Sequence, residues 1–173
     1  MTRKSLHHYS ELEAYQFITF RTQDSIDPYL KKISKMIELD VSARQMKIDE
    51  YCDQSNKGCY LNGESIFVIM TQLKTLGSEF YQLYAVSVMP NHVHLLIQQK
   101  QDLSEIMRKI KGSTALQINK LLSMQGHFWE KSYFDKAIRD EKHFNIVYEY
   151  IKNNAAKAKL KDTNLRFYGI YEG

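Results

Sequence analysis

The chain has 173 residues, of which 43% are hydrophobic and 25% are charged, the balance of an ordinary globular protein. This length suits a single domain spanning residues 1–173, and no apolar run approaches the roughly 18 residues that cross a bilayer, so no membrane partner is expected. The net charge of +4, whose excess lies in residues 100–173, is compatible with phosphate-rich partners but does not by itself predict them.

The cysteines and the N-terminal residues indicate the compartment. Cys52 and Cys59 are too few and too irregularly spaced for a metal knuckle or a disulfide framework. Residues 1–15 contain no apolar segment of the kind found in a secretory signal. We therefore expect a cytoplasmic protein with both thiols reduced.

The first half of the chain predicts a strand followed by a helix. AYQFITFRT, residues 14–22, is rich in aromatic and β-branched residues and is typical of a strand. From Ser25 to about Tyr51 apolar residues recur at helical spacing, and Asp27-Pro28 suits the first turn of that helix. The next apolar segment, residues 66–76, is compatible with either a buried strand or a short helix.

The second half predicts a hairpin and two helices. Residues 79–99 favour two antiparallel strands that are separated at Met89-Pro90-Asn91, because proline cannot donate to a strand ladder. Residues 102–122 predict a helix with Leu103, Ile106, Ile110 and Leu116 on one side. Residues 127–138 are extended or looped, and residues 139–160 predict a last helix. Strands and helices in this order indicate an α+β fold, in which helices pack on a sheet.

Two histidines stand out within the second strand of the hairpin, in VSVMPNHVHLLIQQ. Alternate residues of a strand point to the same face, so His92 and His94 share one face while Val93 and Leu95 occupy the other. Such a pair can bind a metal, share a proton or lie at a wet sheet edge. It supplies at most two ligands, whereas catalytic metal sites need three or more.

The last predicted helix offers a further ligand. Tyr150 and Asn154 are four residues apart in YEYIKNN and therefore lie on the same helix face. The amide oxygen of Asn154 is a hard ligand that suits Mg²⁺ or Mn²⁺. The alternative interpretation is that both residues simply belong to the inward stripe of an amphipathic helix.

Taken in order, these segments resemble a known family. MPNHVHLLI, then FWEKSYFDKAIRDE, then IVYEYIKNNAAKAKL is similar to the HUH single-strand transposases with one catalytic tyrosine, in the branch of the REP-associated tyrosine transposases. The chain departs from that branch in two places: it has Asn154-Ala155-Ala156 where Asn-Asn-Pro often ends the tyrosine motif, and Lys152 where an acidic residue is common. Neither departure removes a presumed ligand or nucleophile.

The resemblance implies a fold and a chemistry. The fold would be a ferredoxin/RRM-like antiparallel sheet packed with helices, with the C-terminal helix carrying the tyrosine. His92, His94 and Asn154 would hold Mg²⁺ or Mn²⁺, and Tyr150 would attack the scissile phosphate to give a 5′-phosphotyrosine and a free 3′-hydroxyl. No residue is assigned as the base that takes the tyrosine's proton; His127 and His143 are available, but such histidines usually lie at the surface.

The resemblance also implies the partner, a single-stranded DNA with a hairpin. The basic candidates for DNA contacts, each of which could equally belong to a solvated surface, are Arg21, Arg108, Lys109, Lys111 and Lys120. Phe128, Trp129 and Tyr133 could stack on bases or pack under the sheet. Relatives occur as monomers and as homodimers, in some of which the tyrosine serves the partner's histidines, and the sequence leaves this choice open.

Two rival functions remain open at the level of sequence. One is a non-catalytic module that binds single strands through aromatic side chains on the first strand, namely Tyr15, Phe17 and Phe20. The other is an inactive transposase remnant. A phosphoesterase with two H-x-Thr or H-x-Ser elements is excluded, because the chain has no second pair of this kind.

Overall fold

The computed structural model describes residues 11–173, and most of the N-terminal segment used above to exclude a secretory signal lies outside these residues. The described residues form five strands and six α-helices, with a short 3₁₀ turn at Gln23–Ser25. In chain order the elements are β1 (Tyr15–Arg21), α1 (Pro28–Ser34), α2 (Val41–Gln54), α3 (Glu64–Leu76), β2 (Tyr81–Val88), β3 (His92–Gln99), α4 (Leu103–Leu122), β4 (Phe134–Ala137), α5 (Glu141–Lys157), α6 (Thr163–Arg166) and β5 (Phe167–Gly169).

The strands form one sheet in the order β4-β1-β3-β2-β5, and every neighbouring pair is antiparallel. The four strands β4-β1-β3-β2 reproduce the ferredoxin-like arrangement, so the predicted α+β fold is confirmed. The short strand β5 extends the sheet beyond β2. It follows the helix that carries Tyr150, so that helix is not the last element of the chain.

The predicted break between β2 and β3 is a two-residue hairpin loop. Pro90 and Asn91 form the loop, and the amide of Met89 donates to the carbonyl of His92 at 2.8 Å. The loop is held at its outer side as well, since Thr22 donates to the Asn91 carbonyl and Leu61 to the Pro90 carbonyl, each at 2.9 Å. These bonds fix the position at which β3, and with it His92, begins.

The single helix predicted from Ser25 to Tyr51 is wrong, because the segment forms two helices with an irregular stretch between them. Asp27 caps α1 by accepting from the Leu30 amide, and Asp40 starts α2 by accepting from the Ala43 amide. Ile37, which the helical pattern included, is 87% exposed in the connecting stretch. Residues 66–76, which were ambiguous, belong to helix α3.

The two faces of the sheet pack against different helices. The main core contains Val93, Leu95 and Phe20 from the sheet, together with residues of α3 and α4. The opposite face packs Leu96 and Ala85 against Ile151 and its neighbours on α5. The face that carries His92 and His94 is therefore the face that α5 covers.

Two details of the packing differ from the sequence pattern. Leu116 on α4, which was expected on the buried side, is 73% exposed, whereas Thr114 and Ile118 are buried. Phe20 is buried in the main core, so it cannot share an exposed binding surface with Tyr15 and Phe17, which point to the other face. Among the described residues no helix has both the length and the apolar character needed to cross a membrane.

Helices α1 and α2 form a small unit beside the sheet. They pack on each other through a separate cluster of Leu30, Ile33, Ile48 and Cys52. The carboxylate of Asp27, at the start of α1, accepts hydrogen bonds from the Tyr51 hydroxyl on α2 and from Lys57. This unit is joined to the sheet at the end where β3 begins. The side-chain amide nitrogen of Asn91 donates to the carbonyl of Cys52 on α2 at 3.0 Å and to that of Lys57, just after α2, at 3.3 Å.

Candidate metal and tyrosine site

Strand β3 carries the two histidines into the interior of the protein. Their rings lie 4.8 Å apart between centroids, and their side chains are 1% and 0% exposed for His92 and His94. The predicted shared face is confirmed, since Val93 and Leu95 point to the opposite core. Burial this complete excludes the interpretation of the pair as residues at a wet sheet edge.

One nitrogen of each ring is held by a neighbouring side chain. The Nδ1 atom of His92 lies 2.7 Å from the amide oxygen of Asn91, which can only accept, so this nitrogen carries the proton. The Nδ1 atom of His94 lies 2.7 Å from the hydroxyl of Thr19, the residue directly opposite it on β1. The Nε2 atoms of both rings are buried and have no hydrogen-bond partner.

The surroundings keep both imidazoles uncharged. Burial, followed by the positive charge of Arg21, lowers the pKa of His92 to about 3. Burial, followed by the neighbouring His92, lowers the pKa of His94 well below its ordinary value. Neutral imidazole is the form that ligates a metal, and a hydrogen bond at Nδ1 is what orients the other nitrogen toward the ion.

Helix α5 brings Tyr150 to the same place. The centroid of its ring lies 5.4 Å from that of His94 and 5.9 Å from that of Phe17 on β1. One turn further along α5, Asn154 is 3% exposed, and its amide oxygen is buried without a hydrogen-bond partner. The histidine strand and the tyrosine helix therefore meet within one chain.

Helix α2 adds a carboxylate that the sequence reasoning missed. The Tyr150 hydroxyl donates to Oδ2 of Asp49 at 3.0 Å, and the side-chain amide of Gln45 donates to the other oxygen at 2.8 Å. Burial raises the pKa of Asp49 to about 7. Burial, followed by the negative charge of Asp49, also raises the pKa of the Tyr150 phenol above its ordinary value.

The only sequence signal for this carboxylate is weak. Asp49 and Asp53 stand four residues apart on α2, next to the buried Ile48 and Cys52, so both carboxylates lie near the apolar side of an amphipathic helix. Asp53 Oδ1 lies 3.6 Å from Nε2 of His92, and burial raises the pKa of Asp53 to about 6. Nothing in the local pattern indicates that this helix turns toward the histidines.

The donor set fits a divalent cation. Ligand atoms of Asp49, His92 and His94 all lie within 4.8 Å of one another. The unpartnered Nε2 atoms of the histidines and the unpartnered amide oxygen of Asn154 are buried polar atoms of the type that ordinarily require a partner. Two imidazoles with carboxylate and amide oxygens are suitable ligands for Mg²⁺ or Mn²⁺.

A cavity of about 270 Å³ opens beside this group. It lies between α2 and the edge of the sheet formed by β1 and β4. The charged and polar side chains that line it include Arg21, Arg44, Gln45, Asp49, His92 and Glu130. A ligand that fills this cavity would therefore touch one of the two histidines.

The five basic residues predicted to contact DNA lie in different surroundings. Arg21 pairs with Glu130, with its Nε 2.6 Å from the carboxylate, at the wall of the cavity. On α4, Arg108, Lys109 and Lys120 are exposed, and Arg108 pairs with Glu105. Lys111 donates to the carbonyls of Glu130, Lys131 and Ser132, so it holds the loop before β4. DNA contacts by these residues remain a prediction.

The two histidines considered as a base for Tyr150 do not lie next to its hydroxyl. His143 accepts from the Arg139 amide near the start of α5, and His127 is exposed in the loop after α4.

Phe128 and Trp129, which were considered for stacking on bases, are buried in the main core, where the indole of Trp129 donates to Thr114, so these two rings pack under the sheet. Tyr133 is half-buried and lines the cavity.

The chain was compared with known protein families. The family described as "Transposase IS200 like" matches residues 65–154, which is more than half of the chain. The matched range contains the histidine pair, Tyr150 and Asn154, but it begins after α1 and α2. A search of curated proteins found no significant match.

Comparison with solved structures supports the fold. A REP-associated tyrosine transposase bound to a REP hairpin superposes with a TM-score of 0.54 and 15% identity, over 88% of this chain and 73% of that chain. A candidate transposase from Deinococcus radiodurans R1 superposes with a TM-score of 0.47 and 17% identity, over 88% of this chain and 97% of that chain, a score too low to support a conclusion. At such identity the first match indicates a shared fold only.

Proposed function

Because the chain belongs to the family of IS200-like transposases, we propose that it cleaves and rejoins single-stranded DNA through a covalent bond to Tyr150. In this proposal the whole chain, residues 1–173, acts as one transposase domain. A DNA substrate is consistent with the cytoplasmic location that the cysteines predict.

The observation that carries the proposal is the convergence of Tyr150 with two buried, neutral histidines whose Nε2 atoms have no partner. A protein that only binds nucleic acid has no need to bury such atoms, since each unpaired polar group costs free energy in the folded state. A bound cation satisfies both nitrogens at once. The burial is therefore better explained by a metal-dependent enzyme than by a binding module.

His92, His94 and Asn154 would hold Mg²⁺ or Mn²⁺. Asn91 and Thr19 orient the two rings, and the low pKa values keep them neutral at physiological pH. When bound, a divalent cation would withdraw electron density from a phosphate oxygen and stabilise the charge that develops there.

Tyr150 would attack phosphorus and displace the 3′-oxygen, which leaves a 5′-phosphotyrosine and a free 3′-hydroxyl. A phenoxide is a much better leaving group than a serine alkoxide, so the same bond can later be broken by the 3′-hydroxyl of a new strand. Rejoining then requires no external energy source.

The expected substrate is a DNA hairpin next to a short single strand. A REP-associated tyrosine transposase with a similar fold was solved bound to a REP hairpin. In this chain the exposed Arg108, Lys109 and Lys120 on α4 are suitable for phosphate contacts, and the cavity beside His92 has room for part of a nucleotide.

The experiment is a screen for covalent adducts. The protein is incubated with a library of single-stranded hairpins and Mn²⁺, and adducts are trapped by denaturation and located by peptide mapping. We expect the nucleotide on Tyr150, and we expect Tyr150→Phe to abolish adduct formation while binding of the hairpin changes little.

Tyr148→Phe is the matched control, because Tyr148 lies on the same helix and its hydroxyl contacts the C-terminal segment instead of the histidines. This variant should form adducts as the wild type does. Binding without any adduct in the wild type would favour a binding module or an inactive remnant, and an adduct on another tyrosine would overturn the role of Tyr150.

A further inference from the structure

Tyrosine is a poor nucleophile until a base accepts its hydroxyl proton, because the ordinary pKa of a phenol is near 10. In this site the phenol is half-buried beside hydrophobic rings, which makes the loss of the proton harder still. Some group close to the hydroxyl must therefore accept the proton. The carboxylate that accepts the hydrogen bond of the Tyr150 hydroxyl, on Asp49, lies outside the matched family region.

We propose that Asp49, delivered by helix α2, is the proton acceptor that activates Tyr150. The inference rests on the proposed function, since it assigns the base for that reaction. Its basis is geometric: Oδ2 of Asp49 already accepts the hydroxyl hydrogen at 3.0 Å, within the range in which a base can take a proton.

The surroundings of Asp49 hold it in this role. Gln45 donates to Oδ1 at 2.8 Å, which leaves Oδ2 directed at the phenol. The residue is 5% exposed, which limits the competition of water for the bond. Asn154, which also lies near the phenol, carries an amide that is too weak a base to take its proton.

The chemistry balances with groups at hand. Asp49 takes the hydrogen of the Tyr150 hydroxyl, the phenoxide oxygen forms a bond to phosphorus, and the bond from phosphorus to the 3′-oxygen breaks. The 3′-oxygen leaves with the electron pair and becomes a hydroxyl by taking a proton from water, and Asp49 releases its proton to water. In the rejoining step Asp49, protonated again, returns a proton to the departing phenol.

Asp49 lies outside the region that matches the family, on a helix unit that packs chiefly on itself. The α1–α2 unit is tied to the hairpin loop by Asn91, the same residue that orients His92. The Asn91 side chain therefore links the helix that bears the base to the strand that bears the ligands.

The test compares Asp49→Asn with the wild type and with Glu50→Gln, a matched control that removes an exposed carboxylate from the same helix. Three quantities are measured: the single-turnover rate of adduct formation on a hairpin that the wild type cleaves, the affinity for Mn²⁺ by calorimetry, and the affinity for the hairpin by fluorescence anisotropy. The rate is measured at saturating Mn²⁺, so that weaker metal binding cannot account for a loss. We expect Asp49→Asn to lower the rate by about 100-fold or more, with the affinity for the hairpin within about twofold of wild type, and Glu50→Gln to change none of the three quantities.

A second series separates proton transfer from a structural effect. Tyr150 is replaced by a fluorinated tyrosine, whose phenol is more acidic and depends less on a base. The loss caused by Asp49→Asn should shrink by about tenfold or more in this background, in accord with Brønsted behaviour. A purely structural defect would be equally large in both backgrounds.

Several outcomes would overturn the assignment. An Asp49→Asn rate within about threefold of wild type would do so, as would an undiminished loss with the fluorinated tyrosine. A rate that recovers to within about threefold of wild type when Mn²⁺ is raised to saturation would make Asp49 a metal ligand instead of a base. These results differ from a failure of the proposed function. In that case the wild type itself forms no adduct, which would contradict both the cleavage of DNA through Tyr150 and the role of Asp49 as its base.

Discussion

At the scale of single residues, the chemistry of the site depends on what holds the Nδ1 atoms of two histidines. Thr19 and Asn91 each occupy one of these nitrogens, and by doing so they direct both Nε2 atoms into the same buried space. In the proposed metal site, a hydroxyl and an amide outside the ligand set would thereby determine whether the pair can act as ligands.

Removal of the Thr19 hydroxyl should therefore weaken metal binding without unfolding the protein. We expect Thr19→Val, which keeps the volume of the side chain, to lower the affinity for Mn²⁺ by about tenfold or more, since the loss of such an orienting partner costs 10- to 100-fold. Calorimetric titration with Mn²⁺ measures the change.

Thr114→Val is the control for this prediction. Thr114 is also a buried threonine, and its hydroxyl accepts from the Trp129 indole in the opposite core. Its loss should lower stability and leave the metal affinity intact. Equal affinity in Thr19→Val and the wild type would show that the hydroxyl does not orient the ring.

The residue scale also shows what sequence reasoning can and cannot reach. The shared face of His92 and His94 follows from strand alternation alone, and the common face of Tyr150 and Asn154 follows from helical spacing. The contact between Asp49 and Tyr150 joins residues 101 positions apart, and it depends on the packing of α2, which no local pattern specifies. The opposition of Thr19 and His94 likewise requires the register of two strands that are far apart in the sequence.

At the scale of elements, the hairpin was predictable and the helix pair was not. Proline and asparagine between two apolar runs specify a turn through their own backbone preferences, so the ends of β2 and β3 could be located closely. The apolar repeat from residue 26 to residue 41 suggested one helix, because Leu30 and Ile33 are in phase with Ile37. Ile37 is exposed and Asp40 begins a new helix, so the repeat was only partly a sign of burial.

The contact between α1 and α2 has a predictable dependence on pH. Hydrogen bonds from Tyr51, the Leu30 amide and Lys57 lower the pKa of Asp27 to about 2 from its ordinary 3.8. A carboxyl whose pKa is lowered by folding contributes stability above its ordinary pKa, and this contribution is lost as the pH falls from about 4 to about 2.

Asp27→Asn measures this contribution, because asparagine can still cap α1 but does not titrate. The stability of the wild type should exceed that of the variant above pH 4, and the difference should shrink as the pH approaches 2. Urea unfolding of both proteins over this pH range provides the measurement. A difference that stays constant with pH would mean that the charge of Asp27 plays no part.

At the scale of the whole molecule, one arginine connects the C-terminal segment to the body of the protein. Arg166, 2% exposed, donates from Nη1 to the carbonyls of Leu61 and Val88, both at 2.9 Å, and from Nη2 to Asn62 at 2.7 Å. Its Nε lies 2.6 Å from Asp162. The loop before α3, the end of β2 and α6 are thus joined through a single guanidinium group.

Arg166→Met should therefore destabilise the protein strongly. The substitution keeps much of the apolar stem but leaves buried carbonyls without a donor, which should cost about 3 kcal/mol in the free energy of unfolding. Chemical denaturation gives the value. Arg108→Met, which breaks an exposed pair with Glu105 on α4, should have little effect. Comparable losses in the two variants would contradict the role of Arg166.

The assembly of the site within one polypeptide has a genetic consequence. His94 and Tyr150 meet in the fold of a single chain, so two copies that carry different inactivating substitutions cannot restore each other's site. Mixing Tyr150→Phe protein with His92→Gln protein should leave DNA cleavage at the background level of either alone. Recovery of activity on mixing would show that α5 of one subunit completes the site of another. Two inactive alleles expressed in one cell would then complement each other.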